Sequence, residues 1–303
     1  MSRMHWHRLK QALSFQRWIQ LAALVLFNGY AKGFASGQIF AGPSKAVCVP
    51  VLNCYSCPGA LGACPIGALQ TVVERGTVPF YVLGTLMLFG VILGRAVCGL
   101  LCPFGLVQDL LHKVPLRKRS LPPRLDRALR WLKYVVLALL VILLPALIAA
   151  QKGMASPFFC EWLCPAGTLG GALPLMATNP AMRALAGALF SWKFAVLVLI
   201  VVAAMVIPRP FCRYLCPLGA FYSLFNRVSF YGLSLNTERC VDCGRCAQVC
   251  PMGIDAHQNT NSPECIRCGK CQIACPTQAI HQSFCHSAQE RAPGRISQQS
   301  PKS

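Results

Sequence analysis

Residues 240–276 read CVDCGRCAQVCPMGIDAHQNTNSPECIRCGKCQIACP, and this stretch decides how the C-terminal part of the chain folds. It contains two runs with the same spacing, C-x2-C-x2-C-x3-C-P, with fourteen residues between the last cysteine of the first run and the first cysteine of the second. Short spacing brings three thiolates of a run to one point, while the fourth reaches across to the neighbouring run. The pattern therefore predicts two thiolate-bound metal centres that share the two runs.

The spacing favours iron–sulfur clusters over zinc, because tandem cysteine triplets are crowded for two tetrahedral zinc ions. It is the spacing with which bacterial ferredoxins hold two [4Fe–4S] clusters. The expected ligands are Cys240, Cys243, Cys246 and Cys275 for the first cluster, and Cys265, Cys268, Cys271 and Cys250 for the second. We expect an α+β domain over residues 231–281, followed by a polar, disordered tail over 282–303.

The rest of the chain has the composition of a membrane protein. Of 303 residues, 55% are hydrophobic and 13% are charged, and the mean hydropathy is +0.49. A bilayer core of about 30 Å needs roughly 20 apolar residues per helix. The sequence therefore predicts an α-helical membrane domain over 18–230 with four transmembrane helices, at residues 18–38, 78–95, 131–150 and 190–207.

The basic residues predict the topology. The net charge is +20, but most Lys and Arg stand in short blocks beside the apolar runs, which indicates membrane topology rather than nucleic-acid binding. The tail 1–17 and the loop after the second span are basic, whereas the loops 41–77 and 151–189 carry two basic residues each. The positive-inside rule then places both termini in the cytoplasm of a multi-pass protein of a bacterial-type inner membrane. Thiols stay reduced in that compartment, as the clusters require.

An internal repeat divides the membrane domain into two halves. RAVCGLLCPFGLVQDLLHKV from Arg95 aligns without a gap on RPFCRYLCPLGAFYSLFNRV from Arg209. CPIGAL from Cys64 aligns more loosely with CPAGTL from Cys164. Repeats in the same orientation predict a pseudo-twofold axis along the membrane normal.

The repeated cysteines suggest further metal sites. Each C-x3-C pair of the repeat has its cysteines at i and i+4, on one face of a helix, and the axis would bring the two pairs together. We hypothesise a shared cluster or thiophilic metal held by Cys98, Cys102, Cys212 and Cys216. Apolar packing and redox-active thiols are the alternatives. On the outer side, metal binding and disulfides are equally compatible with Cys54, Cys57, Cys64, Cys160 and Cys164.

Few residues are available for proton transfer or haem binding. All six histidines fall outside the predicted spans, so haem is not expected. Among nine acidic residues, Glu161 and Asp109 are the candidate proton acceptors, although each is equally interpretable as a solvated carboxylate. Arg95 and Arg209 precede the repeated cysteines and would either stabilise anionic groups or anchor the chain at the interface.

Taken together, these motifs resemble the ferredoxin-type membrane quinol dehydrogenases, typified by the membrane subunit that accompanies periplasmic nitrate reductase. The outer cysteines are an addition to that subunit's pattern. The resemblance implies that quinol is oxidised, that iron–sulfur centres carry the electrons, and that the partners are the lipid bilayer, a quinone and another redox protein. Relatives that handle copper or assemble metalloenzymes suggest an alternative, in which the C-x3-C-P pairs reduce or deliver a metal.

Overall fold

The computed structural model describes residues 3–119, 121–152, 156–184 and 186–284, and most of them are helical. The helices of residues 3–152 are α1 (Arg3–Asn28), α2 (Ala31–Ser36), α3 (Pro65–Glu74), α4 (Phe80–Leu93), α5 (Ala96–Leu100), α6 (Pro103–Leu111), α7 (Pro123–Val136) and α8 (Leu144–Lys152). Those of residues 156–284 are α9 (Pro165–Gly167), α10 (Leu173–Thr178), α11 (Pro180–Ala184), α12 (Ala188–Val206), α13 (Pro210–Tyr214), α14 (Pro217–Phe225), α15 (Arg245–Gln248) and α16 (Lys270–Ala274). A 3-10 turn covers Pro43–Ala46, and π-helical turns cover Leu137–Leu143, Phe159–Leu163 and Thr168–Ala172.

Among the described residues, two helices are long and apolar enough to span a bilayer. They are Pro123–Lys152, with 30 residues, and Ala188–Val206, with 19, and each leaves most of its apolar stretch exposed. They contain the predicted spans 131–150 and 190–207. The predicted span 78–95 forms the shorter apolar helix α4, and 18–38 is divided between α1 and α2. These two helices indicate a membrane protein.

The C-terminal unit, residues 231–284, contains a small antiparallel sheet and two short helices. β1 (Tyr231–Leu235) pairs with β2 (Ile280–Phe284), so the sheet joins the beginning and the end of the unit. β2 extends three residues beyond the expected boundary at 281, and the rest of the predicted tail lies outside the described residues. Helices α15 and α16 each begin after a glycine in the left-handed conformation, Gly244 and Gly269.

The C-terminal unit packs directly on the helices before it. The amide of Phe230 donates to the carbonyl of Val91 (2.8 Å). Asn226, at the end of α14, donates through Nδ2 to the carbonyls of Ser262 (2.7 Å) and Cys265 (2.8 Å). Gly94 has a φ of +55°, and a Cβ there would stand 2.7 Å from Oδ1 of Asn226, so only glycine fits at this junction.

Candidate metal centres

Two cavities of the C-terminal unit are each lined by four cysteines. The first is lined by Cys240, Cys243, Cys246 and Cys275, and the second by Cys250, Cys265, Cys268 and Cys271. The fourth cysteine of each run therefore lies with the first three of the other run, which is the grouping expected from the spacing. Four thiols around one cavity suit a [4Fe–4S] cluster, which takes one thiolate per iron.

The first cavity contains polar groups that the spacing of the cysteines does not predict. Sγ of Cys275 accepts a hydrogen bond from the amide of Ala279 (3.3 Å) and lies 3.5 Å from the hydroxyl of Thr277. Burial opposes ionisation of Cys275, but these hydrogen bonds outweigh it and lower the pKa of the thiol. His257 also lines this cavity, with Nδ1 2.7 Å from Asp255 and 3.9 Å from Sγ of Cys246.

A third set of thiols lies in the helical part, and we call Cys98, Cys102, Cys212 and Cys216 the proximal quartet. All four are buried, and each thiol interacts electrostatically with others of the set. Burial, together with these neighbours, raises the pKa of Cys98, Cys102 and Cys212 to about 11. The structure thus brings together the two repeated pairs, and a bound cation would be needed to keep their thiolates ionised.

The two cysteines of each repeated pair do not share one helix. Helix α5 ends at Leu100, Cys102 is extended, and α6 begins at Pro103. In the second half, α13 ends at Tyr214 and α14 begins at Pro217, after Cys216. Proline disfavours helical conformation in the residue before it, so the expectation of an i, i+4 pair on one helix face is wrong.

The motif C-P-x-G occurs four times before residue 230 and builds the same local structure each time. The cysteine stands at the N-cap position and proline begins the helix, in the pairs Cys64 and Pro65, Cys102 and Pro103, Cys164 and Pro165, and Cys216 and Pro217. At Cys216 the sulfur also accepts a hydrogen bond from the amide of Gly219 (3.4 Å). Proline fits because the first helical N–H has no partner within the helix. The backbone N–H groups of the first helical turn favour a negative charge on the sulfur beside them.

Two arginines connect the halves at the proximal quartet. Arg95 Nη2 donates to the carbonyl of Cys212 (3.2 Å), and Arg209 Nη1 donates to the carbonyl of Cys98 (2.9 Å). Both side chains are almost completely buried. Each arginine therefore crosses from its own half to the other half's cysteine, and the repeat motif is used twice in the same way.

Two carboxylates neutralise these arginines, the partly buried Asp109 and the buried Glu264. Asp109 accepts two hydrogen bonds from Arg209, at 2.8 and 2.5 Å, and this pairing outweighs burial and lowers the pKa of Asp109. Glu264 accepts from Arg95 (2.8 Å) and also from Lys133. Asp109 is thus held as an anion, which disfavours its predicted role as a proton acceptor. Glu161 lies half-buried in the π-helical turn Phe159–Leu163.

The proximal quartet adjoins the second cavity. A Cβ at Gly99, between the two cysteines of the first pair, would stand 2.2 Å from the carbonyl oxygen of Ile266. Ile266 follows Cys265, and Glu264 precedes it, so the Arg95 ion pair also ends beside that ligand. The sequence motifs predicted the proximal quartet and the four cysteines of the second cavity. They gave no indication that Gly99 and Glu264 lie where these two sets meet.

A fourth set of thiols comes from the loops 41–77 and 151–189, and we call Cys54, Cys64, Cys160 and Cys164 the distal quartet. Each interacts electrostatically with at least one other member. Burial, with the neighbouring thiols, raises the pKa of Cys160 well above its usual value. Cys57 lies beside Cys54, and Cys48 beside Cys64. All eighteen cysteines of the described residues are free thiols.

Comparison with known protein families agrees with this chemistry. A family model described as a 4Fe-4S binding domain matches residues 75–122, 134–173 and 188–232. A second, described as a 4Fe-4S dicluster domain, matches residues 232–276. The chain is therefore an iron–sulfur protein with 4Fe-4S binding domains in both its helical part and its C-terminal unit.

The chain belongs to the same family as the uncharacterized protein MJ0750 of Methanocaldococcus jannaschii, which is 32% identical over 199 residues, 63% of this chain and 74% of the relative. It is 30% identical to the putative electron transport protein YccM of Escherichia coli, over 55% of this chain and 44% of YccM. It is 29% identical to the methylamine utilization ferredoxin-type protein MauN of Methylorubrum extorquens, over 71% of this chain and 70% of MauN. No solved structure matches the chain significantly.

Proposed function

We propose that this chain is a membrane-bound electron-transfer protein that passes electrons between the quinone pool and a redox partner. The observation that carries the proposal is the contact between the proximal quartet and the second cavity. Gly99 meets Ile266 there, and Arg95 links the carbonyl of Cys212 to Glu264. Thiol sets that adjoin one another across two parts of a protein suit electron transfer between those parts.

The residues proposed to hold the clusters are the four cysteines of each cavity and the four of the proximal quartet. When bound, [4Fe–4S] clusters supply reversible one-electron chemistry over a wide range of potentials. The surroundings of the proximal quartet suit an anionic cluster, since Arg95 and Arg209, each paired with a carboxylate, lie beside the sulfurs and favour a negative charge there.

The chain's own residues fix the potential and the shape of the site. Gln108 donates through Nε2 to Sγ of Cys212 (3.0 Å) and accepts through Oε1 from the amide of Phe211 (3.1 Å). This pair of bonds orients the sulfur and withdraws electron density from it. Phe104 and Phe211 meet edge to face near the quartet, with ring centroids 5.2 Å apart, and exclude water from that side.

A lipid-soluble quinone is the proposed donor or acceptor because the proximal quartet is buried among helices that the bilayer would surround. The relatives YccM, a putative electron transport protein, and MauN, a ferredoxin-type protein, support electron transfer. Glu161 remains the proposed proton acceptor, since it is half-buried and has no ion-pair partner among the described contacts.

Anaerobic purification of the full chain in detergent, followed by iron and acid-labile sulfide counts and EPR before and after addition of a reduced quinone, tests the proposal. The variant Cys98→Ser with Cys212→Ser should lose about four iron atoms per chain and should no longer be reduced by quinol. Cys57→Ser, outside the proximal quartet, is the matched control. Unchanged iron content and quinol reduction in the double variant, or stoichiometric copper at the quartet, would overturn the proposal.

A further inference from the structure

We propose that the distal quartet, Cys54, Cys64, Cys160 and Cys164, binds a further [4Fe–4S] cluster, so that the helical part carries two such sites of the same construction. The sequence leaves metal binding and disulfides equally open for the outer cysteines. In the structure, four of these cysteines form the distal quartet, and Cys48 and Cys57 lie outside it. This inference concerns metal content alone, so it stands or fails independently of the proposed quinone partner.

The distal quartet repeats the construction of the proximal one. Cys64 and Cys164 are the capping cysteines of C-P-x-G motifs, as Cys102 and Cys216 are in the proximal quartet. Gln70 stands six residues after Cys64, as Gln108 stands six after Cys102. The correspondence therefore extends beyond the cysteines themselves.

The same glutamine contacts occur at both quartets. Gln70 donates through Nε2 to Sγ of Cys160 (3.2 Å) and accepts through Oε1 from the amide of Phe159 (3.0 Å). Gln108 makes the equivalent contacts with Cys212 and Phe211. The third cysteine of each quartet therefore accepts an equivalent hydrogen bond from a glutamine. The two quartets thus offer a cluster the same surroundings at this position.

Cys54 supplies the fourth sulfur of the distal quartet. Its Sγ lies 3.6 Å from the Cβ position of Gly167, in the first turn after Cys164. Sγ of Cys160 lies 3.9 Å from the Cβ position of Gly67, in the first turn after Cys64. A side chain at either glycine would approach these sulfurs, so each glycine leaves room beside a capping cysteine. The two halves of the quartet thus face each other reciprocally.

Two neighbouring cysteines stand outside this arrangement. Cys57 interacts electrostatically with Cys54 but with no other member of the quartet in the described contacts, whereas Cys54 interacts with all three of the others. Among thiols, Cys48 interacts with Cys64 but with no other member of the quartet in the described contacts. They provide matched controls, since each is a cysteine of the same loop that the proposal leaves without a ligand role.

The charge around the distal quartet also fits an anionic cluster. Backbone N–H groups of Ile66 and Gly67 lie near the sulfur of Cys64, and those of Ala166 and Gly167 lie near the sulfur of Cys164, where they favour a negative charge. Lys45 lies near Cys54 and Cys57, and its ammonium group is buried and hydrogen-bonded to the carbonyl of Ala60 (2.9 Å). A disulfide would need no such donors, whereas thiolates and cluster sulfides do.

Iron counts on the full chain, purified anaerobically, test the proposal. Four clusters give about sixteen iron atoms per chain, and three give about twelve. We expect the higher count in the unmodified protein and a loss of about four iron atoms in Cys64→Ser or Cys160→Ser. Cys48→Ser and Cys57→Ser should keep the full count.

Thiol labelling supplies a second readout that does not depend on a variant's folding. Denaturation of the purified protein with an iron chelator and an alkylating reagent should label all four quartet cysteines without prior reduction. Labelling only after reduction would show disulfides and overturn the inference, as would zinc or copper in place of iron at this quartet. If the variant Cys98→Ser with Cys212→Ser loses iron and Cys64→Ser loses none, the proposal of a distal cluster is wrong and that of a proximal cluster stands.

Discussion

The substitution Glu264→Gln tests whether ion pairs attach the C-terminal unit to the helices. Glu264 neutralises two cations, Arg95 and Lys133, whose side chains are both 0% exposed. Removing one partner of a buried pair costs about 3–5 kcal/mol, because an uncompensated charge stays buried. The glutamine oxygen can still accept one hydrogen bond, so we expect the lower end of that range. At about 2–4 °C per kcal/mol for a chain of this size, the midpoint of thermal unfolding should fall by roughly 6–12 °C.

The assay is thermal unfolding of the cluster-loaded chain in detergent, followed through the visible absorbance of the clusters. Glu238→Gln is the control, since Glu238 is exposed and in the same unit, and it should move the midpoint little. The double variant Glu264→Gln with Lys133→Met removes one of the stranded charges and should recover part of the loss. Equal midpoints for Glu264→Gln and Glu238→Gln would refute the reasoning.

Three further predictions follow from the same region. Gln108→Leu removes a hydrogen bond to Cys212, so the reduction potential of the proximal site should fall by on the order of 60 mV, equivalent to about 1.4 kcal/mol for one electron. EPR-monitored redox titration measures this potential. An unchanged potential would contradict the role of Gln108. Asp109 has a lowered pKa, so its contribution to stability is present above the ordinary pKa of about 3.9 and disappears as the pH falls through the lower folded value. Unfolding midpoints of the native chain and of Asp109→Asn should therefore differ at pH 5 to 8 and converge at lower pH, and a constant difference would refute the ion pair. Gly99→Ala forces a methyl group against the carbonyl of Ile266 and should destabilise the chain by about 1–3 kcal/mol, measured by thermal unfolding and limited proteolysis, whereas Gly84→Ala, with open space around it, should not.

The sequence predicted the composition of each thiol set in the C-terminal unit because cluster ligation depends on short, fixed spacings. Cys250 and Cys275 were assigned to the opposite runs from spacing alone, and the structure places them in those cavities. The repeat likewise predicted that Cys98 and Cys212 would come together. Motif spacing is local, so it can be read without knowing how the rest of the chain folds.

Contacts between distant segments could not be predicted in this way. Glu264 lies in a polar stretch between two cysteine runs, and nothing in its neighbours indicates that Arg95, 169 residues away, would bind it. The sequence also could not predict that Cys54, rather than Cys57, belongs to the distal quartet, because the spacing of the two cysteines does not distinguish them. Only the fold places Cys54 against the turn at Gly167.

The loop that carries Cys54 and Cys57 also approaches both quartets at adjacent residues. The backbone N–H of Leu52 lies near Sγ of Cys102, and that of Asn53 lies near Sγ of Cys64. Successive residues are about 3.8 Å apart, so a single planar, rigid peptide unit lies between a sulfur of one set and a sulfur of the other. The bond lengths and angles of a peptide unit do not change with the length of the surrounding lipids or with temperature. The gap between the two buried sites should therefore keep one value in thick and thin membranes alike, even where the surrounding helices tilt.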